Sequence, residues 1–256
     1  MNKPIKQHYV PQVYLKFFSH KYEWEKYYAE QVEPLIRRIF PKLIQKCTNV
    51  FVRDQDVVID EEIRSALSVI IITQLSRTPK ARSYNYEISS KMFPEVMRDI
   101  LNDLEPYINA DQRNYLHNFT LDKVFKEIEM QTFTDPYRIS RLAQMIYDRY
   151  WIVYRNNNYK KNPFATSDHP VVQYNMVATS TSLRDNGIAN PQTIIHFPLN
   201  SQLMLAIYDR KHFMFRHLKD MDSKLTFLSD KDEGFITKVN QTQYEQCIQH
   251  VYFRPM

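Results

Sequence analysis

Glycine is almost absent from this chain: Gly187 and Gly234 are the only two in 256 residues. Phosphate cradles, dinucleotide fingerprints and nucleophile elbows need glycine where the backbone turns sharply or approaches a ligand. None can be written with these two, which excludes the usual nucleotide-driven and nicotinamide chemistries. Cysteine is as scarce. Cys47 and Cys247 are too few for a disulfide scaffold or a zinc–thiolate site, and they read as buried thiols in a reducing, cytoplasmic compartment. Long apolar runs are missing too. Val69-Ile70-Ile71-Ile72, flanked by Ser68 and Thr73, falls far short of the roughly 20 apolar residues a bilayer demands. Met1-Asn2-Lys3-Pro4 runs into polar residues with no apolar stretch behind it, so the expectation is a chain without a signal peptide and without a membrane partner.

What remains is ordinary globular composition, 43% hydrophobic and 25% charged, enough for a sizeable core. The formal charge of +5 permits nucleic-acid binding without implying it. Eighteen tyrosines and fifteen phenylalanines supply many stacking faces, although most aromatics in a folded chain belong to its core.

Periodicity predicts a helical half over about 1–147 and a sheet-containing half over about 148–256, with no linker between them: a single α+β domain. Val10, Val13, Tyr14, Phe17 and Phe18 form a helical stripe behind Pro11, a residue suited to a helix start. A helix is expected from Pro34 to Lys46. Asp60-Glu61-Glu62 then reads as an N-cap and acidic first turn opening the strongest helix, which Pro79 ends or kinks. Further helices fit 82–93, 94–105, 110–129 and 135–147. Trp151–Tyr154, Pro163–Tyr174, Ile194–Leu199 and Leu203–Tyr208 are rich in β-branched and aromatic residues and read as strands of a small antiparallel sheet. Residues 178–191 read as a loop, and Asn240 as the cap of a closing helix over 241–252.

Three constellations carry candidate chemistry. His8 stands before Val10-Pro11 at a helix mouth; it can act as acid or base near neutral pH, or simply pin the N-terminus through a backbone carbonyl. Gln74 and Arg77 share a helix face, with Arg82 beyond the Thr78-Pro79 break. Arginine there binds a phosphate or carboxylate, or caps the broken helix and pairs with an acid such as Asp168. Asp168 and His169 precede Pro170. Asp168 forms an Asx-turn or an arginine pair more readily than a metal site, though a cluster with His169 and His196 is conceivable. Lys160-Lys161-Asn162 and Arg210-Lys211-His212 read as solvated loop tips, with phosphate contact the lesser reading.

Four segments, His8-Tyr9-Val10-Pro11-Gln12-Val13-Tyr14-Leu15, Gln74-Leu75-Ser76-Arg77-Thr78-Pro79, Thr166-Ser167-Asp168-His169-Pro170-Val171 and Phe197-Pro198-Leu199, resemble in order and spacing the bacterial DUF4238 family. The Asn240-led terminal segment extends the resemblance over nearly the whole chain. His169, in the variable position of the Ser-Asp-x-Pro step, departs from the usual pattern. The resemblance implies a bacterial member of a family of unknown function, with an anti-phage defence or toxin setting for some members, and no specific reaction.

The expected site assembles His8, Gln74, Arg77 and Asp168, with Arg82, His169 and Tyr14 close by. The leading expectation is a metal-independent ribonuclease-like effector that uses no cofactor. In it His8 is the acid or base, Arg77 holds the phosphate, Gln74 positions the substrate, and Asp168 orients His8 or Arg77. RNA suits such a set because its 2′-hydroxyl supplies the nucleophile. The alternative is a non-catalytic ligand-sensing or interaction module, with the polar quartet buried and structural. A third reading is a transferase with Tyr9 or Tyr14 stacked on a base. RNA or a nucleotide-like ligand, or a partner or antitoxin chain, are the expected partners. Accessibility discriminates between a site and a buried network.

Overall fold

The computed structural model describes residues 28–122, 125, 135–176 and 187–253. His8, Tyr14, the helical stripe behind Pro11 and the loop residues 177–186 lie outside the described residues, as does the side chain of Arg77. A turn of π-helix, Tyr28–Val32, leads into α1 (Glu33–Thr48), which buries Ile39, Phe40, Leu43 and Cys47 at helical spacing. In α2 (Glu61–Arg77) the Asp60 carboxylate accepts the Ile63 N–H at 2.8 Å, the expected cap. Lys46 reaches the same carboxylate at 2.7 Å, and Lys42 pairs with Glu62, so the α2 start is tied to α1. Ile63, Leu67, Ile70 and Ile71 are fully buried on several sides of α2, as befits a helix packed between other layers.

Thr78 leaves the helical region (φ −72°, ψ 150°) and its hydroxyl accepts the Ala81 N–H, so Thr78-Pro79 ends α2 and starts α3 (Pro79–Leu104). The separate helix expected from Pro94 does not form. Pro94 lies inside α3, at an exposed position where the carbonyl it leaves unpaired can turn to water. The helix expected over 110–129 is regular as α4 (Ala110–His117), capped by Asn109 and Gln112 reciprocally. α5 (Pro136–Tyr147) starts at the Asp135 cap and buries Ile139, Ala143 and Ile146. No helix among the described residues is long and apolar enough to cross a membrane.

The second half supplies β1 (Tyr150–Asn156), β2 (Thr166–Ser167), β3 (Val172–Asn175), β4 (Thr193–Pro198), β5 (Leu203–Tyr208), a 3₁₀ helix (Phe213–Met221), β6 (Lys224–Leu228), α6 (Glu233–Gln246) and β7 (Val251–Tyr252). The fold is α+β, with α1, α2 and α5 of the first half packed on one sheet face and a closing helix after the last long strand. The main sheet has the order β3-β4-β5-β1-β6. It is antiparallel except for β1 and β6, which run parallel. The expected antiparallel sheet is found in β3-β4-β5-β1, and β6 makes the whole mixed: its entry through the 3₁₀ helix carries the chain back to the start of β1. β2 and β7 form a separate antiparallel pair.

Alternation places Trp151, Val153, Ile195, Phe197, Leu203, Leu205 and Ile207 in one core with α1, α2 and α5. Tyr150, Ile152, Ile194, Met204, Ala206 and Tyr208 face a second core with the 3₁₀ helix and α6. Both faces being covered explains why β4 and β5 are buried at every position. Each sheet edge is partly capped. On β6, Gln55 N–H donates to Leu225 O at 2.8 Å and Leu225 N–H to Asp56 O at 2.9 Å, while the Asp54 carboxylate accepts the Phe227 N–H. At the β3 edge the Gln246 side chain of α6 bonds both the N–H and the carbonyl of Gln173.

Candidate functional site: the clasp between α6 and the Thr-Ser-Asp-His-Pro segment

α6 begins at Glu233, after Ser229 and Asp232 cap the turn before it. Asn240 therefore lies within the helix and does not cap it, because the chain bends into helix a full two turns earlier than the apolar pattern of 241–252 suggests. Asn240, Gln243 and Gln246 follow one another at steps of three residues, so they line one side of α6. Each carboxamide grips backbone on the facing segment. Asn240 Nδ2 donates to Pro163 O at 2.9 Å and its Oδ1 accepts the Ala165 N–H at 2.8 Å. Gln243 Nε2 donates to Pro170 O at 2.9 Å and its Oε1 accepts the Ser167 hydroxyl at 2.8 Å. Gln246 Nε2 donates to Gln173 O at 2.6 Å and its Oε1 accepts the Gln173 N–H at 3.4 Å. Primary amides suit this task because each offers one donor and one acceptor side by side, the pair that an extended backbone presents.

Asp168 completes the clasp from the other direction. Its carboxylate accepts the N–H groups of Ile248 (3.0 Å), Gln249 (2.8 Å) and His250 (3.3 Å), while its own N–H donates to His250 O at 3.0 Å. Cys247, extended at ψ 157°, ends α6, and Asp168 collects the amides that follow. The expected Asx-turn or arginine pair is replaced by this long-range anchor; among the described residues its hydrogen-bond partners are backbone N–H groups alone. The chain then pairs as β7 with β2, Tyr252 opposite Thr166. The His169 N–H donates to the Ser167 hydroxyl at 3.2 Å, and the His169 carbonyl accepts from it. Ser167, Asp168 and His169 are 3%, 4% and 5% exposed.

The remaining predicted residues sit elsewhere. Gln74 is buried on the last turns of α2, and Arg82 is half-buried in the first turn of α3, its N–H bonded to Thr78 O. Arg77 is the last residue of α2. His196 projects from β4 into the second core, where the Tyr174 ring lies 5.0 Å and the Phe235 ring 6.0 Å from it. Among the described residues neither of its ring nitrogens has a hydrogen-bond partner, and full burial pushes its pKa down to about 3. The two-histidine, one-carboxylate cluster does not form: no three metal-ligating side chains come together among the described residues. Beside His196, the Tyr154 and Tyr208 hydroxyls meet at 3.2 Å, and burial pushes Tyr174 up to about 12.

Two buried arginines escaped sequence reasoning, since nothing local marks them. Arg64 on α2 donates to the carbonyls of Tyr147 and Arg149, to Asp222 at 2.5 Å and to Ser223, with its guanidinium 5.4 Å from the Trp151 ring. Arg149 donates to the carbonyls of Thr193, Ile188 and Asn190 and pairs with Asp209 at 3.0 Å. Burial lowers the Arg149 pKa and Asp209 opposes that. An open concavity of about 420 Å³ on α5, lined by Tyr137, Ser140, Arg141, Gln144, Met145 and Asp148, holds none of the predicted site residues.

Residues 20–256 match the family described as proteins of unknown function, DUF4238, and the chain belongs to that family. No curated protein and no solved structure matches it.

Proposed function

We propose that the protein is a non-catalytic ligand-sensing or interaction module, at work in a reducing cytoplasm, in which Gln74, Asp168 and His169 serve the fold. The observation that carries this reading is the engagement of Asp168 by three consecutive backbone N–H groups. A carboxylate that orients an acid–base histidine or a phosphate-binding arginine must face that group. This one faces the backbone beyond α6. Gln74, at 3% exposure, and His169, at 5%, are equally withdrawn from solvent, whereas substrate-positioning groups line an open cleft. The ribonuclease scheme, with His8 as acid or base and Arg77 on the phosphate, asks Asp168 to orient one of them, and a carboxylate engaged by three backbone N–H groups favours the module over it.

The test is direct incubation of purified protein with total RNA, alongside inducible expression of the wild type, His8→Ala and Arg77→Ala. Intact RNA and unimpaired growth are expected. Cleavage products from the wild type that both folded variants fail to make would overturn this reading and restore the ribonuclease.

A further inference from the structure

The 3₁₀ helix Phe213–Met221 is nine residues long, well beyond the usual single turn of such structure. With three residues per turn, positions i, i+3 and i+6 eclipse one another along a single row. One row turns inward. Phe215 and Leu218 are buried and Met221 packs beside them, with the Phe215 ring 5.2 Å from Tyr208. The apolar period of three in Phe215, Leu218 and Met221 thus explains the helix type and fixes its rotation. A second row is left facing water: Phe213, 69% exposed, then Arg216 and Lys219. Lys211 is exposed just before it.

These cations are not consumed by the fold. Arg210 beside them is committed to Asp222, and Asp209 to Arg149, but Lys211, Arg216 and Lys219 have no side-chain partner among the described residues. Between Asp209 and Asp220 the segment carries no acidic residue. The aromatic ring is also held in place. His212 lies between Phe213, at 5.0 Å, and the buried Phe215, at 5.1 Å, so Phe213 is braced against the core while staying exposed.

We propose that this ridge is a contact surface for single-stranded nucleic acid. Phe213 offers a stacking face to one base, and Arg216, Lys219 and Lys211 neutralise successive phosphates. Each turn of 3₁₀ helix advances about 6 Å, a step on the scale of one nucleotide in an extended strand. A membrane surface suits the segment less well, because interfacial helices present a broad apolar face outward, and here the outward apolar residues are Phe213 and Met214 at one end, while Phe215, Leu218 and Met221 pack into the core. The proposal rests on the module reading above and names its partner class.

Fluorescence anisotropy with a fluorescein-labelled oligouridine tests it. The wild type is expected to bind at low salt, with log K falling against log salt at a slope of about −2 for three phosphate contacts. Phe213→Ala is expected to weaken binding about tenfold. The Arg216→Gln, Lys219→Gln pair should flatten the slope to about −0.7. All three side chains are exposed, so circular dichroism should be unchanged. No binding by the wild type, binding that neither variant alters, or a preference for anionic phosphatidylserine vesicles over the oligomer would overturn the surface. Shortening of the oligomer during the assay would instead overturn the non-catalytic reading.

Discussion

The Gln246 side chain occupies both outward hydrogen-bonding groups of Gln173, its Nε2 2.6 Å from the Gln173 carbonyl and its Oε1 3.4 Å from the Gln173 N–H. A helix side chain thereby takes the place of a neighbouring strand, which the edge of β3 lacks among the described residues. An open edge recruits other chains. Gln246→Ala is expected to cost about 1–2 kcal/mol in urea unfolding. Light scattering should also show concentration-dependent association that the wild type does not.

Asp168 anchors the chain after α6 through three N–H groups. Asp168→Ala leaves these donors without their acceptor and is expected to lose about 3 kcal/mol. Asp168→Asn should lose less, because its carboxamide oxygen can still accept the Gln249 and His250 N–H groups while the NH₂ group faces only the Ile248 N–H. Hydrogen exchange would place the damage at residues 247–252; unchanged protection there would contradict the anchoring role.

His196 sets a pH dependence whose sign follows from burial. Its folded pKa, pushed down to about 3, lies below the ordinary value of about 6.5. The unfolded chain therefore binds the extra proton first as pH falls. The contribution is whole above the unfolded pKa and is lost at up to about 1.4 kcal/mol per pH unit on descending toward the folded one. Urea midpoints taken from pH 7 to pH 4 should fall less steeply for His196→Phe, a ring of similar shape that suits neighbours Tyr174 and Phe235.

Arg149 is 2% exposed and tied to three carbonyls and Asp209. Arg149→Ala is expected to destabilise by about 3–5 kcal/mol, since it leaves a carboxylate without its countercharge. Adding Asp209→Asn should recover part of that loss. Strict additivity of the two substitutions would show that the pair is not coupled.

The two thiols differ in environment. Burial pushes Cys47 up to about 12, whereas Cys247 is half-exposed at the end of α6. A thiol reagent is expected to label Cys247 quickly in the native protein and Cys47 only on unfolding. Equal rates would show that the α1 contact opens readily.

What the sequence determined by itself is whatever depends on near neighbours. The Asp60 cap, the Thr78-Pro79 break and strands β4 and β5 were legible because caps, proline geometry and apolar runs act over a few residues. The DUF4238 membership was legible for the same reason, each motif being a short contiguous string. Tertiary structure decided the rest. It placed Asn240 inside a helix, where its amide grips Pro163 and Ala165, and carried α3 through Pro94. It added the parallel strand β6, whose partner β1 lies some seventy residues earlier in the chain. It set Arg64 and Arg149 among distant carbonyls and gave Asp168 three amides from the far end of α6. Hydrogen bonds between groups so separated leave no periodicity in the sequence. They follow from which faces the packed layers bring together, and that is fixed only when the cores close.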